Sequence, residues 1–497
     1  MPNETPTAES EREADMFGGE AETPEQAPAT EPSSRDEAML GSRTAESDAV
    51  AKLLAADDPL AIGGQVFLRA NYAVLDEGDL EDFALSTPNL VDLYLDGRPG
   101  DRVRFYTRAR LSYDPTVNEN TTNAFGGTGQ KTRVSLDQLW LKFDVESRVF
   151  VTVGKQRIKW GTGRFWNPTD FLNTETLDPL SVAVFDERLG VSLLKLHLPV
   201  ESIGANFYLI GTLDDAARPA DVGAALRAEF VVGTNEITAT AAVRHNNPLR
   251  LGADFNGALG PLDVKLEAAL RHGVTTPFYK GNYDTSPLTI DEFDLTGVSP
   301  DGIPAAIEAQ LPAVLAARLP QGYSREDDWI PQVVAGVEYG VNYTEDDAVY
   351  FGAEYFYNGA GYKDADLAAL IAVGAFNPFY TGVHYAGAYA LLPSPGDWDD
   401  TSFSLSGFGN LSDSSFISRI DYSYRFATYL TFNAYVQSHF GKQGEFNYTY
   451  SQGPLVDPAL IASLTPEQRA GLPPAVVDGV NVIGPLVDLG VGLRTSF

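Results

Sequence analysis

Arg102, Arg104, Arg108 and Arg110 recur at even positions of the segment RVRFYTRARLSY. In an extended backbone successive side chains point to opposite faces, so the four guanidinium groups share one face with Tyr106. Val103, Phe105, Thr107, Ala109 and Leu111 take the other face. A column of fixed positive charge beside water sets ion selectivity and orients charged solutes. Nearby acids would instead pair with the arginines and neutralise them. The sequence favours neither outcome. Lys155, Arg157 and Lys159 share a parity further along, but so do Val151 and Val153, which leaves room for a bulge or an interfacial position. In LDVKLEAALRH, Lys265, Glu267 and Arg271 oppose Val264, Leu266, Ala268 and Leu270. If these stripes face inward, Arg102, Arg104, Arg108, Arg110, Lys155, Arg157, Lys265, Glu267 and Arg271 line a wall that contacts a small polar or charged solute.

Other chemistry has little support. The five histidines at 197, 245, 272, 384 and 439 show no HxxxH or HxH spacing, so no metal site is expected. No nucleophile elbow, phosphate-binding loop or dinucleotide fingerprint occurs. The chain has no cysteine, which excludes thiolate metal sites, disulfides and covalent CxxCH haem. The expectation is therefore a protein that is not an enzyme and holds no cofactor. Acidic stretches such as DEGDLED, TLDD and SREDD could attract divalent cations, though none has the spacing of a calcium loop.

The elements that would position a charged wall are strands. From Ile62 onward the chain reads as segments of the length a tilted strand needs to cross a bilayer. They fall near 62–75, 88–96, 101–113, 132–145, 148–160, 187–198, 202–211, 221–232, 235–245, 248–258, 261–273, 331–344, 347–358, 383–392, 401–410, 414–425, 427–440 and 485–497. The fold class is thus all-β: a transmembrane antiparallel β-barrel of about 16–18 strands. Short turns alternate with long excursions near 114–131, 160–187, 273–330, 359–383 and 441–484, which would place every long loop on one side. The last strand alternates Val487, Leu489, Val491, Leu493, Thr495 and Phe497 against Asp488, Gly490, Gly492, Arg494 and Ser496. A final amphipathic strand ending in Phe497 resembles the signal by which barrel-assembly machinery recognises bacterial outer-membrane barrels. Helix-like stretches at 303–319, 364–376 and 458–472 are expected to pack over the barrel mouth or fold inward.

Residues 1–58 are rich in Glu, Ala, Pro, Ser and Thr and cannot bury enough apolar surface to fold alone. They read as an acidic, disordered periplasmic tail, with a short helix possible over Ser47–Ala56; residues 59–497 read as the barrel. The opening MPNETPTAESEREADMF lacks the basic and apolar regions of an export signal, so the numbering is expected to begin after a cleaved signal or at a misassigned start. The formal net charge of −33 argues against a nucleic-acid partner. No apolar run is long enough for a membrane-spanning helix, which leaves strands as the way across a bilayer.

One stretch binds these readings together. RVFVTVGKQRIKWGTGRFWNPTDFLN begins as a strand and then breaks at Trp160–Gly161, gathering Trp160, Arg164, Trp166, Asn167 and Asp170 in a compact loop at the barrel mouth. GKQRIKWGTGRFWNPTDF resembles the "GRQ…WG…NP.D" segment of outer-membrane porin-like families of the alginate-export and DUF1302 type, matching at Gly154, Gln156, Trp160, Gly161, Asn167, Pro168 and Asp170. The resemblance is sharp over about twenty residues and diffuse over 62–497. It implies a segment at the outer end of an early strand that shapes the mouth or constriction. The acidic tail and helix-bearing loops depart from that pattern, so no substrate is implied. The function expected is passage of small polar or charged solutes through a loop-narrowed lumen with an arginine-lined wall, in a barrel set in the lipid of a bacterial outer membrane. The alternative is a barrel scaffold holding a partner protein, for instance a cytochrome.

Overall fold

The structure is a computed structural model. It describes residues 59–497 apart from 76–83, 101, 120–128, 174–188, 215, 245–246, 275–276, 283, 285, 287, 300–301, 346, 364–365, 455–456, 458–461 and 463–479. The acidic tail, the Ser47–Ala56 helix, His245 and nearly all of the 458–472 segment lie outside the described residues.

Eighteen strands form one closed antiparallel sheet. They are β1 (Leu60–Leu75), β2 (Asn89–Gly100), β3 (Val103–Tyr113), β4 (Thr132–Val145), β5 (Val149–Gln156) and β6 (Val191–Val200). Then come β7 (Ala205–Thr212), β8 (Gly223–Val232), β9 (Asn235–Arg244), β10 (Asn247–Leu259), β11 (Leu262–His272) and β12 (Trp329–Asn342). The last six are β13 (Ala348–Asn358), β14 (His384–Pro393), β15 (Thr401–Asn410), β16 (Ser415–Ala427), β17 (Leu430–Gly441) and β18 (Pro485–Ser496). Each pairs with its neighbours in sequence, and β1 pairs with both β2 and β18, which removes the edges. The terminal residue completes the seam: Phe497 N donates to Gly64 O and Gly64 N donates to Phe497 O, each at 2.9 Å.

The faces are inverted relative to a soluble protein. Leu68, Leu93, Leu139, Leu226, Ile420 and Val491 stand exposed on the outer wall, while Asp92, Asp137, Lys195, Arg227, Glu267 and Glu354 are buried inside. Exposing one such aliphatic side chain to water forgoes roughly 1.5–3 kcal/mol. A belt of dozens would not persist in water, and hydrocarbon is the medium that covers it. No helix among the described residues is long and apolar enough to cross a membrane; the strands cross it. Tyr339, Tyr424, Phe426 and Tyr429 gather near the short-turn rim, and Trp329, Tyr355 and Phe440 near the other, as interfacial aromatic girdles do.

The start of β1, the end of β18 and the connections after β2, β4, β6, β8, β10, β12, β14 and β16 lie at one end, and all five long excursions leave from the other. Those loops contain helices α1 (Ile303–Arg318) and α2 (Leu367–Ala372) and two small ladders, Phe278–Lys280 with Gln321–Tyr323 and Thr449–Gln452 with Val480–Ile483. Helix α1 is tied down at its C-terminal end, where Arg318 reaches Glu292 at 2.7 and 2.8 Å and holds that carboxyl below its ordinary pKa.

The strand expected over 148–160 ends earlier, at Gln156. Gly154 has φ 124°, and a β-carbon there would sit 2.1 Å from the Leu139 carbonyl oxygen, so only glycine allows the chain to leave the ladder at this point.

Val491 lies mid-strand, opposite Ala70 and Ala434, and faces lipid. Val491→Arg should lower the folding free energy in phospholipid vesicles by about 2–4 kcal/mol. Denaturant titration of vesicle-inserted protein measures this, and an unchanged midpoint would contradict a membrane-facing position.

Candidate functional site

After Gln156 the chain does not stay at the rim. It turns into the barrel, and residues 157–173 cross the lumen. Two carboxylates from the wall hold the crossing. Glu267 of β11 accepts from the backbone N–H of Thr162 (2.6 Å), Gly163 and Thr169 (3.4 Å), and from Thr169 Oγ1 (2.8 Å). Glu354 of β13 accepts from the backbone N–H of Arg164 (2.7 Å), Phe165 (3.1 Å) and Trp166 (2.9 Å). Six loop amides that strand pairing cannot serve are thereby satisfied, and each would cost roughly 1–3 kcal/mol if left buried without a partner. Gly161 and Gly163 permit the approach: a β-carbon at Gly161 would meet the Glu267 carboxylate at 2.7 Å, and one at Gly163 the Trp166 carbonyl oxygen at 2.1 Å.

The aromatics anchor the two halves of the crossing. Trp160 is fully buried with Ile158, Phe171, Leu172, Val191, Leu193, Tyr208 and Ile210, and the Arg227 guanidinium lies 5.4 Å from its ring. Trp166, also fully buried, stacks on Phe356 at 5.6 Å and donates its indole N–H to Phe379 O at 3.2 Å. Phe165 meets Phe408 edge-on at 4.5 Å, and Arg164 lies 4.1 Å from the Tyr389 ring, whose hydroxyl donates to Glu338. Asp170 Oδ2 accepts from Asn173 Nδ2 at 2.7 Å, and that amide also donates to Ile158 O at 2.6 Å. Asn167 presents a buried Oδ1 without a partner. Trp160, Arg164, Trp166, Asn167 and Asp170 therefore form one folded constriction and not a collar at the mouth.

The basic residues divide. Arg104, Arg108 and Arg110 project from the inner face of β3, each onto an aspartate. Arg104 bonds Asp96 at 2.8 Å, Arg108 bonds Asp92 at 3.2 Å, and Arg110 bridges Asp92 (3.2 Å) and Asp137 (3.1 Å). Arg157 also pairs with Asp137, and Arg98 with Asp96. Five arginines thus share three aspartates among the described residues. Arg102 stands at the short-turn rim, exposed and paired with Asp144 at 2.6 Å. Lys265 and Glu267 share the inner parity of β11 with Arg271. Lys155 differs from the expectation of a pore-lining lysine: its ladder partners are Leu139, an outward residue, and Ser192, so it shares the outer face with Val153. The irregular backbone at Gly154 precedes that outcome, and only Arg157 of this second stripe reaches the interior acids.

Several residues of this arrangement were not singled out from sequence. Glu354 was readable as the lone acid of the inner set Gly352, Glu354 and Phe356. Asp92 and Asp96 were readable as the polar face of NLVDLYLD, opposite Val91, Leu93 and Leu95. Register then sets Asp92 directly across from Arg110.

An 18-stranded, lipid-belted antiparallel barrel with a charged, loop-constricted interior is an outer-membrane-type transmembrane barrel. No family model and no curated protein matches the chain. Among solved structures it is similar to Acinetobacter baumannii OccAB1, with TM-score 0.45 and 11% identity over 88% of this chain and 96% of that one. It is similar also to Pseudomonas aeruginosa OccK1 (OpdK), with TM-score 0.47 and 10% identity over 88% and 98%. A mutant Rhodopseudomonas blastica porin aligns with TM-score 0.38 and 12% identity over 88% and 100%. Likenesses this loose transfer neither family nor substrate; the membrane assignment rests on the inverted faces of the barrel itself.

Replacing both anchors, Glu267→Ala with Glu354→Ala, should release the crossing loop while the barrel stays closed. Residues 161–166 should then become cleavable by added protease. A loop as resistant as in the parent would mean the aromatic packing alone holds it.

A second test concerns the 441–449 loop. Glu445 accepts from Tyr385 Oη at 2.6 Å and Asn410 Nδ2 at 2.8 Å, and burial pushes its carboxyl up to about 7. A carboxyl whose pKa is raised on docking stabilises the docked loop most below its ordinary range and loses that contribution as pH rises through about 7. Hydrogen exchange in this loop, corrected for intrinsic rate, should therefore quicken between about pH 5 and about pH 8, and Glu445→Gln should flatten the change.

Proposed function

We propose that this chain is an outer-membrane porin that passes small polar or charged solutes through a loop-narrowed lumen. One observation carries the reading: a polar-walled barrel whose interior is crossed by a loop held on six backbone amides. Such a crossing narrows a passage without filling it with a separate domain, and it puts fixed dipoles and charges beside any solute.

The crossing loop packs on the walls from β6 to β16. The remaining arc, β17–β18 and β1–β4, carries Asp488, Arg494, Asp92, Asp96, Arg104, Arg108 and Asp137 on its inner side. The passage runs along that charged arc. Arg104 and Arg108 keep part of their surface open, and their pairing with aspartates leaves oriented dipoles along the arc, not bare charge. The likeness of GKQRIKWGTGRFWNPTDF to the alginate-export and DUF1302 type supports a constriction role for that segment. Phe497, hydrogen-bonded into the seam, is the residue we assign to recognition by the barrel-assembly machinery. A scaffold that threads a partner protein, such as a cytochrome, fits less well, because the pinned loop occupies the space a threaded partner would need.

Refolded protein in a planar bilayer should give discrete conductance steps. Arg104→Glu with Arg108→Glu should move the reversal potential in a KCl gradient towards cation preference. A folded barrel that never conducts would overturn the porin reading. An unchanged reversal potential in the variant would remove those two arginines from the path.

A further inference from the structure

Above the crossing loop lies a second segment that folds inward. Residues 441–449 leave β17 at the edge of the charged arc and bring Phe446 into the aromatic cluster around Trp166. The chain departs at Gly441, where φ is 104° and a β-carbon would lie 2.4 Å from the Ser414 carbonyl oxygen, so the turn requires glycine. Beyond it the segment is bonded to itself. Asn447 Nδ2 donates to Gly441 O at 3.1 Å, Gly444 N to Asn447 O at 3.0 Å, and Thr449 N to Gln443 Oε1 at 3.1 Å. A loop closed on its own bonds keeps its shape when it moves.

Apart from a bond at the hinge, Lys442 N to Ser414 O, its attachments to the wall converge on two residues among those described. Phe446 donates its N–H to Ser415 Oγ (3.0 Å), accepts from His439 Nδ1 (2.7 Å) and sets its ring 5.0 Å from that of Phe379. Glu445 donates its N–H to Asp413 Oδ2 (2.7 Å), and its carboxyl lies on Tyr385 Oη and Asn410 Nδ2. Glu445 is the attachment a proton can switch. Burial, and then the charge of Asp413, push its carboxyl up to about 7 against the hydrogen bonds it accepts. Asp413 also takes Ser415 N, Ser415 Oγ and Asn410 Nδ2, which leaves it the better served of the two acids. The other titratable groups facing the loop are the Tyr385 hydroxyl of β14 and His439 of β17, whose Nε2 lies 3.0 Å from Asp488 of β18.

The segment is coupled to the constriction beneath it. Phe379 has φ 65°, a left-handed conformation that bulky residues rarely adopt and that their surroundings must hold. Its ring is held between Phe446 and Phe408, and its carbonyl takes the Trp166 indole N–H. Lifting Phe446 removes one of these supports and lets Phe379 relax.

We infer that residues 441–449 form an acid-closed lid at the outer end of the passage: a proton on Glu445 keeps the loop seated on Tyr385 and Asn410, and loss of that proton lifts it about Gly441 and loosens Phe379 below. The inference rests on reading the chain as a solute channel and adds how its entrance is regulated. The direction follows from linkage. A carboxyl raised on seating favours the seated loop most below the ordinary carboxyl range, and that preference is lost as pH rises through about 7.

The experiment is conductance of the full chain in a planar bilayer, with each bath in turn taken from pH 5 to pH 8. Open time should lengthen several-fold when one bath, and not the other, is made alkaline. Glu445→Gln, which cannot ionise, should hold the pH 5 behaviour throughout. Tyr385→Phe, which removes the hydroxyl that bonds both Glu445 and Gly382 N, should already be open at pH 5. Amide exchange over Phe379–Gly382 in detergent, corrected for intrinsic rate, should quicken by about tenfold or more between about pH 5 and about pH 7 in the parent and stay flat in Glu445→Gln. A parent that conducts equally at both pH values, a pH response that survives Glu445→Gln, or exchange that does not change would each overturn the lid. A folded chain that never conducts overturns the channel instead, and exchange at Phe379–Gly382 then decides the lid by itself.

Discussion

A backbone amide or carbonyl in hydrocarbon has no water to turn to, so a sheet can cross a bilayer only if it closes. The seam between β1 and β18 is therefore the contact on which the rest of this molecule depends. It extends from Gln65 opposite Ser496 to Leu75 opposite Pro485, and the backbone of Phe497 adds two more hydrogen bonds with Gly64. Closure permits the outer face to be largely apolar, which in turn moves most of the charge of the strands inside. The interior then inherits a problem the outside has been spared: many ionised groups in a confined space, each needing a partner.

Two solutions to that problem coexist in the lumen. On the β2–β4 arc, arginines and aspartates of neighbouring strands neutralise one another through register alone. Asp92 faces Arg110 because the hairpin between β2 and β3 sets them across. On the β11 and β13 walls, Glu267 and Glu354 pair with no arginine among the described residues; they take backbone amides of the crossing loop instead. The second solution does more than balance charge. It converts an excursion that would otherwise lie over the mouth into a fixed element inside it, and Trp160 and Trp166 then fill the gaps that the amides leave.

How much of this could be read from residues follows from the range of the contacts. Alternation is a property of adjacent residues, so the strands, their faces and the sorting of long loops to one end were legible, and most strand boundaries agree within a few residues. The crossing loop was recognisable as ordered, from Trp160, Gly161, Asn167, Pro168 and Asp170, but its destination was not. Thr162 and Glu267 are 105 residues apart, and Arg164 and Glu354 are 190 apart. No local pattern announces which inward acid meets which loop amide. Lys155 shows the converse failure: parity was counted across Gly154 as if the ladder were about to continue through Trp160, whereas the strand ends at Gln156 and the lysine stays on the outer face with Val153. Arg250 escaped notice because it belongs to no stripe; only the β10–β11 register sets it opposite Arg271.

The asymmetry of the interior has a mechanical consequence. The loop's aromatic packing is with β6–β16, and on the arc from β17 through β4 its contact is the Arg157–Asp137 ion pair, in a region held by charge pairs. Packing against aromatic rings fixes position within a few tenths of an ångström because interdigitated side chains cannot slide without opening voids. The ion pairs of the other arc are held by burial instead: Asp92 and Asp137 are fully buried and Arg110 nearly so, and removing one partner of such a pair strands the other charge in a place where water does not reach it. Both flanks of the lumen are thus fixed, one by interdigitated rings and the other by charge pairs that strand register sets. In the proposed porin reading, shape and charge are therefore presented to a solute by different strands.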